Sequence, residues 1–236
     1  MSDHVTMVEV GPRDGLQNEK LKLDVSVKIE LVERLANCGI PVVEAGSFVS
    51  PKWVPQMADS ESVLTGITPL PGTRYPVLVP NMAGFERAIA AGATEIAVFT
   101  AASESFSKRN TNCSIRESLE RLETVIECAK TNGLRVRGYV SCVLGCPYEG
   151  EIEASAVTEV CSALANLGVD EISLGDTIGV GTPAVANALV KAVIDVVPVE
   201  QLAVHFHDTY GQALANILAC LDAGIRIIDS SVAGLG

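Results

Sequence analysis

The chain has 236 residues, enough for one large core, and a net charge of −12 with no basic cluster, which excludes nucleic acid and anionic membranes as partners. Hydrophobic residues make up 48% and aromatic residues only 4%, so the interior is built from Val, Ile, Leu and Ala, the composition of parallel strands covered by helices. No apolar run approaches the roughly 18 residues that span a bilayer, and Val5 already belongs to the first expected strand, so neither a membrane span nor a signal peptide is expected.

Short apolar runs alternate with longer amphipathic stretches along the whole chain. Strands are expected at Val5–Val10, Pro41–Ala45, Tyr75–Pro80, Glu95–Thr100, Arg135–Val140, Glu171–Gly175, Leu202–His207 and Ile225–Ser230. Seven helices lie between them. Ser114-Ile-Arg-Glu117 reads as a capping box opening a helix that runs to Asn132-Gly133. Thr182-Pro183 places a capping residue before proline at the first helical position, and Gly39, Gly168 and Gly224 close helical runs. Eight βα units make a (β/α)8 TIM barrel the expected fold, ahead of a doubly wound open sheet, with residues 1–236 forming a single catalytic barrel domain. Arg13, Asp14, Glu44, Ser47, Asn81, Ser141, Asp176, His205, His207 and Ser231 all fall at or just after strand ends. In a barrel those ends meet on one rim, where barrel active sites lie.

His205 and His207 stand two apart at the end of the seventh expected strand. Residues i and i+2 of a strand share a face, so both imidazoles should lean into one space. Two buried histidines bonded to neighbours would read the same way, and a third ligand decides between the readings. Asp14 follows strand one on the same expected rim, and one carboxylate with two imidazoles is a common divalent-metal set. Alone, Arg13-Asp14-Gly15 would be an ordinary turn. The seven cysteines (Cys38, Cys113, Cys128, Cys142, Cys146, Cys161, Cys220) are odd in number and embedded in helical or strand patterns, which fits a reducing compartment. Cys142 and Cys146 form the one spaced pair, a weak zinc pattern by itself, and with Tyr139 they read as wall or core. Pro51 and Trp53 read as packing of a long βα loop, and His4 as an exposed residue before strand one.

Five stretches resemble the 3-hydroxy-3-methylglutaryl-CoA lyase family within the metal-dependent lyase and Claisen-synthase barrel group. They are Glu9-Val-Gly-Pro-Arg-Asp-Gly-Leu-Gln-Asn-Glu19, Ser47-Phe-Val-Ser-Pro-Lys-Trp-Val-Pro-Gln56, Gly138-Tyr-Val-Ser-Cys-Val-Leu-Gly-Cys-Pro-Tyr148, Ser173-Leu-Gly-Asp-Thr-Ile-Gly-Val-Gly-Thr-Pro183 and His205-Phe-His-Asp-Thr-Tyr-Gly-Gln-Ala-Leu-Ala-Asn216. The resemblance covers essentially the whole chain. It implies metal-assisted retro-Claisen cleavage of an acyl-CoA substrate to acetoacetate and acetyl-CoA, in leucine degradation or ketone-body formation. It further implies a divalent cation, Mg²⁺ or Mn²⁺, on Asp14, His205 and His207, with Arg13, Glu44 and Asp176 catalytic and Arg13, Gln17, Ser47 and Ser173 facing the substrate. Arg13 is adjacent to Asp14 yet able to point elsewhere, toward the developing enolate, or into a salt bridge with Glu44 or Asp176. The implied state is a homodimer, cytoplasmic in a bacterium or mature in the mitochondrial matrix. Two alternatives stay open: a Claisen synthase or oxo-acid aldolase of the same group, and a non-catalytic metal- or acyl-CoA-binding barrel. The family's catalytic cysteine and its asparagine metal ligand are expected beyond Gly236, so the chain reads as truncated after strand eight, without its C-terminal helix and active-site loop.

Overall fold

Every strand pairing in the computed structural model, which describes residues 4–236, is parallel, as expected for strands buried on both faces. The chain forms two compact units. The first holds Thr6–Val98, Ala129–Arg135 and Asp229–Gly236; the second is built mainly from Phe99–Cys128 and Val136–Ile228.

The first unit opens with β1 (Thr6–Glu9), followed by α1 (Val25–Asn37), β2 (Val42–Val43), β3 (Gly46–Ser47), α2 (Ser60–Gly66), β4 (Val77–Leu78), α3 (Met82–Ala90) and the start of β5 (Glu95–Ala101). β1 pairs with β2 through Val8 and Val42, β3 with β4 through Gly46 and Val77, and β4 with β5 through Val77 and Ile96. The single strand expected at Pro41–Ala45 is therefore two short ladders. Between them the Glu44 N–H donates to the Glu9 carbonyl at 2.9 Å, while the Ala45 N–H turns to the Pro76 carbonyl at 2.9 Å. Pro41, Pro76 and Pro80 have no N–H to give a ladder, which keeps β2 and β4 to two residues each. Asn81 is a helix cap: its side-chain oxygen accepts the Gly84 N–H at 3.0 Å. Trp53 is 84% exposed and packs nothing, contrary to expectation. Its loop is pinned by the buried Lys28, whose ammonium meets the Gln56 carbonyl and, at 2.6 Å, Asp59 Oδ1.

The second unit continues with α4 (Glu104–Thr111), α5 (Ile115–Thr131), β6 (Arg135–Ser141), α6 (Ala154–Asn166), β7 (Glu171–Asp176), α7 (Pro183–Ile194), β8 (Leu202–Phe206), α8 (Ala213–Asp222) and β9 (Ile227–Ser230). β6, β7, β8 and β9 pair in that order, with Gly138 opposite Ile172, Ile172 opposite Leu202 and Ala203 opposite Ile227. Helix α4 was not legible in the sequence, because Phe106 is its only large apolar residue and no 3.6-residue period emerges. The Ser103 hydroxyl starts it by accepting the Phe106 N–H at 3.1 Å, and Asn112 in the left-handed region (φ 55°) ends it. The capping box forms as read: the Ser114 N–H reaches Glu117 Oε2 at 2.8 Å and the Glu117 N–H reaches Ser114 Oγ at 3.2 Å. Gly39, Gly168 and Gly224 hold φ values of +87°, +86° and +103° at helix ends, as expected of left-handed caps.

Candidate metal centre and active site

In the first unit, β1 runs into a π-helical turn, Gly11–Gly15, in which the Val10 carbonyl receives the N–H groups of Arg13 (3.1 Å), Asp14 (2.7 Å) and Gly15 (3.4 Å). Such wide turns recur at functional sites. Gly11 is required there, since a Cβ would stand 2.6 Å from Glu9 Oε1, the oxygen that accepts the Gly11 and Val232 N–H groups at 2.9 Å each. The turn drives Arg13 inward. Its Nε donates to Glu44 Oε2 at 2.7 Å and its Nη1 to Asp14 Oδ1 at 2.6 Å. Glu44 is fully buried and the Asp14 side chain is 17% exposed. The salt bridge expected between Arg13 and Glu44 is present, and Arg13 is also bound to its neighbour Asp14 rather than turned away from it. A buried guanidinium is tolerated only when paired in this way. Gln17 lies half-buried just past the turn. Ser47 is buried, with its N–H on Ser60 Oγ at 2.9 Å and its own hydroxyl accepting the Val49 N–H at 3.3 Å.

In the second unit, His205 on β8 and His207 immediately after it share one side, with ring centroids 5.2 Å apart and planes at 54°. This is the geometry expected from their spacing. Tyr139 on β6 meets His205 edge-on at 6.2 Å and 84°. Tyr139 is itself held by a residue that the sequence reading missed: Arg137 Nη1 donates to its hydroxyl at 2.9 Å, while Arg137 Nε meets Glu171 Oε1 at 2.6 Å. Arg137 and Glu171 are 1% and 2% exposed. The available signal was two charges on strands that must be buried on both faces, a pattern that implies a pair. Ser173 is fully buried on β7.

Asp176 closes β7. Its two oxygens accept the N–H groups of Gly181 (2.8 Å) and Val180 (3.2 Å). Burial raises its pKa above the usual carboxylate value, and the N–H groups together with the charge of His207 only partly offset this. Two expected site residues, Asp176 and His207, are thus electrostatic neighbours in this unit.

Cys142 and Cys146 are buried, as expected, on a loop where Cys142 takes the left-handed conformation (φ 61°). Burial pushes the Cys142 thiol up to about 12, whereas for Cys146 the effect of burial is outweighed by hydrogen bonds, among them Ser103 Oγ at 3.0 Å and the Tyr148 N–H at 3.3 Å. Cys146 also borders a cavity of about 550 Å³ lined by Val143, Leu144, Val180 and Leu189. Cys161 and Cys220 are likewise pushed up to about 12 by burial. Iodoacetamide at neutral pH should therefore label the exposed Cys38 first and leave Cys142, Cys161 and Cys220 untouched until unfolding. Peptide mass mapping reads this, and rapid native-state labelling of Cys142 would contradict the buried geometry.

Comparison with known proteins agrees with the resemblance read from the motifs. The chain is 61% identical to the mitochondrial hydroxymethylglutaryl-CoA lyase of Bos taurus over 232 residues, covering 98% of this chain and 71% of the bovine protein. It is 58% identical to the cytoplasmic 3-hydroxy-3-methylglutaryl-CoA lyase of Mus musculus, covering 100% of this chain and 69% of the mouse protein. The crystal structure of hydroxymethylglutaryl-CoA lyase from Pseudomonas aeruginosa superposes with a TM-score of 0.98 at 57% identity, over 100% of this chain and 79% of that one. The fold class is the α/β TIM barrel expected from the βα rhythm. With residues 4–236 matching the HMGL-like family model, the chain belongs to the HMGL-like family.

Proposed function

We propose that this chain is a carbon–carbon lyase that cleaves 3-hydroxy-3-methylglutaryl-CoA to acetoacetate and acetyl-CoA, with residues 1–236 acting as one catalytic domain. The observation that carries this reading is identity of about 60%, across nearly the whole chain, to proteins named for that lyase. Asp14, His205 and His207 offer one carboxylate oxygen and two imidazole nitrogens, a donor set that could hold a metal ion and that suits a divalent cation. The facing histidine rings and the part-exposed Asp14 carboxylate fit that role. When bound, such an ion would polarise the substrate's tertiary hydroxyl and fix its geometry. Cleavage also sends negative charge onto the thioester oxygen of the departing enolate. Arg13 is assigned to that oxygen, as the buried cation beside Asp14. Glu44 holds the guanidinium in place through Nε. Asp176 acts on the His207 side, and Gln17, Ser47 and Ser173 are assigned to the substrate.

Mg²⁺ and Mn²⁺ both suit the set, and a homodimer is the proposed assembly. The relatives are mitochondrial and cytoplasmic, so cytosol and matrix are the proposed compartments. No helix among the described residues is long and apolar enough to cross a membrane. Incubation of the purified protein with 3-hydroxy-3-methylglutaryl-CoA should release acetyl-CoA and acetoacetate. Chelation should abolish turnover, and added Mg²⁺ or Mn²⁺ should restore it. Condensation of acetyl-CoA with a 2-oxo acid, with no cleavage, would instead make the protein a synthase. Turnover that persists unchanged after exhaustive chelation would remove the metal.

A further inference from the structure

We propose that Asn216, on the first turn of α8, is a positioning residue for His207, acting through the loop that joins β7 to α7. The proposal rests on the metal reading above. Asn216 is 1% exposed, and its Nδ2 donates to the Gly181 carbonyl at 3.0 Å. The Gly181 N–H in turn donates to Asp176 Oδ2 at 2.8 Å, and the Val180 N–H to Asp176 Oδ1 at 3.2 Å. The Gly179 N–H closes the loop on the Asp176 carbonyl at 3.1 Å. The far end of the five residues after Asp176 is thus held from two sides, the Asp176 carboxylate taking the Val180 and Gly181 N–H groups and the Asn216 amide donating to the Gly181 carbonyl.

The clamped loop lies directly on His207. Gly179, at φ +65°, is so close that a Cβ there would sit 2.7 Å from the His207 carbonyl and 2.5 Å from Thr209 Oγ1. Gly181 is as tightly enclosed, with a Cβ meeting Leu144 Cδ1 at 2.4 Å and Asp176 Oδ2 at 2.8 Å. The helix bearing Asn216 is itself anchored beside the histidine, since Asp208 Oδ1 accepts the Ala213 N–H at 2.9 Å. Strand register adds the last link: Gly175 stands opposite His205 and Asp176 opposite Phe206. His207 stands one residue past the end of β8, with its carbonyl against this loop. Among the described residues Asn216 Oδ1 has no hydrogen-bond partner. An amide that leaves a buried acceptor unmet is a poor choice for stability alone, so its value lies in what Nδ2 holds.

A nearby residue supplies the control. Asn187 on α7 makes the same kind of amide tie to α8, with Nδ2 on the Ala219 carbonyl at 2.5 Å, a tie between two helices rather than to the loop. The test compares Asn216→Ala, Gly179→Ala and Asn187→Ala for Mn²⁺ affinity by titration calorimetry, alongside kcat, KM and thermal stability. Asn216→Ala and Gly179→Ala are expected to bind Mn²⁺ about tenfold more weakly and to lose kcat, as removal of groups that orient metal ligands generally does. Asn187→Ala is expected to lose stability alone. Unchanged Mn²⁺ affinity in Asn216→Ala overturns the proposal, as does an equal affinity loss in Asn187→Ala. Should Asn216→Ala fail to fold, unchanged affinity in Gly179→Ala overturns it. A wild-type protein that binds no Mn²⁺ would sink the metal reading itself, a separate result.

Discussion

Arg13→Gln is expected to lower kcat about 10³-fold, the upper end of the loss seen when one donor to a developing oxyanion is removed. Arg13→Lys should fail nearly as badly, because a point charge on a flexible stem cannot reproduce two directed N–H bonds, one from Nε to Glu44 and one from Nη1 to Asp14. Glu44 is fully buried, and removing Arg13 takes away the guanidinium bound to Glu44 Oε2. Stability should fall along with turnover, by as much as about 3–5 kcal/mol for a broken buried pair. The double variant Arg13→Gln/Glu44→Gln separates the effects: thermal stability should recover in part, while kcat should not. If kcat recovers together with stability, Arg13 is structural and has no part in the chemistry.

Arg137→Met is the substitution expected to do most damage to the fold. It leaves Glu171, 2% exposed, without the guanidinium that bonds to it at 2.6 Å, and the uncompensated charge should cost about 3–5 kcal/mol. For a chain of this length that corresponds to a fall in Tm of roughly 10 °C. Arg137→Met/Glu171→Leu should regain most of the loss, because two apolar side chains need no partner. It should still perturb the proposed metal site, because the Tyr139 hydroxyl loses its donor and Tyr139 packs edge-on against His205. The surface pair Arg34–Glu30 is the contrast. Its side chains are 77% and 60% exposed, and Arg34→Ala should change Tm very little. Differential scanning calorimetry measures all three. A drop for Arg137→Met no larger than that for Arg34→Ala would show that the pair is not isolated from water.

The sequence by itself determined the βα rhythm, the Ser114–Glu117 capping box, the glycine helix ends and the pairing of the two histidines on one side, because each depends on short-range periodicity or on a single residue's backbone preference, whereas Thr182 makes no side-chain cap bond. Among the described residues eight α-helices are present where seven were read, since α4 is set by one capping hydroxyl and a left-handed asparagine rather than by an apolar period. The same limit hid the split of the second strand, where successive N–H groups turn to carbonyls on different segments, Glu44 to Glu9 and Ala45 to Pro76. Candidate residues at strand ends were legible from their positions, but their partners were not. Arg13 points inward because a π-helical turn closes on the Val10 carbonyl, and its charge is accommodated by Glu44, 31 residues away in sequence. Arg137 and Glu171 lie 34 residues apart and meet only through the β6–β7 register. Asn216 looked like an ordinary helix residue, yet its amide closes a loop 35 residues earlier. Long-range charge pairing and loop closure are enforced by burial, which removes water as an alternative partner, and burial exists only once the tertiary structure has formed.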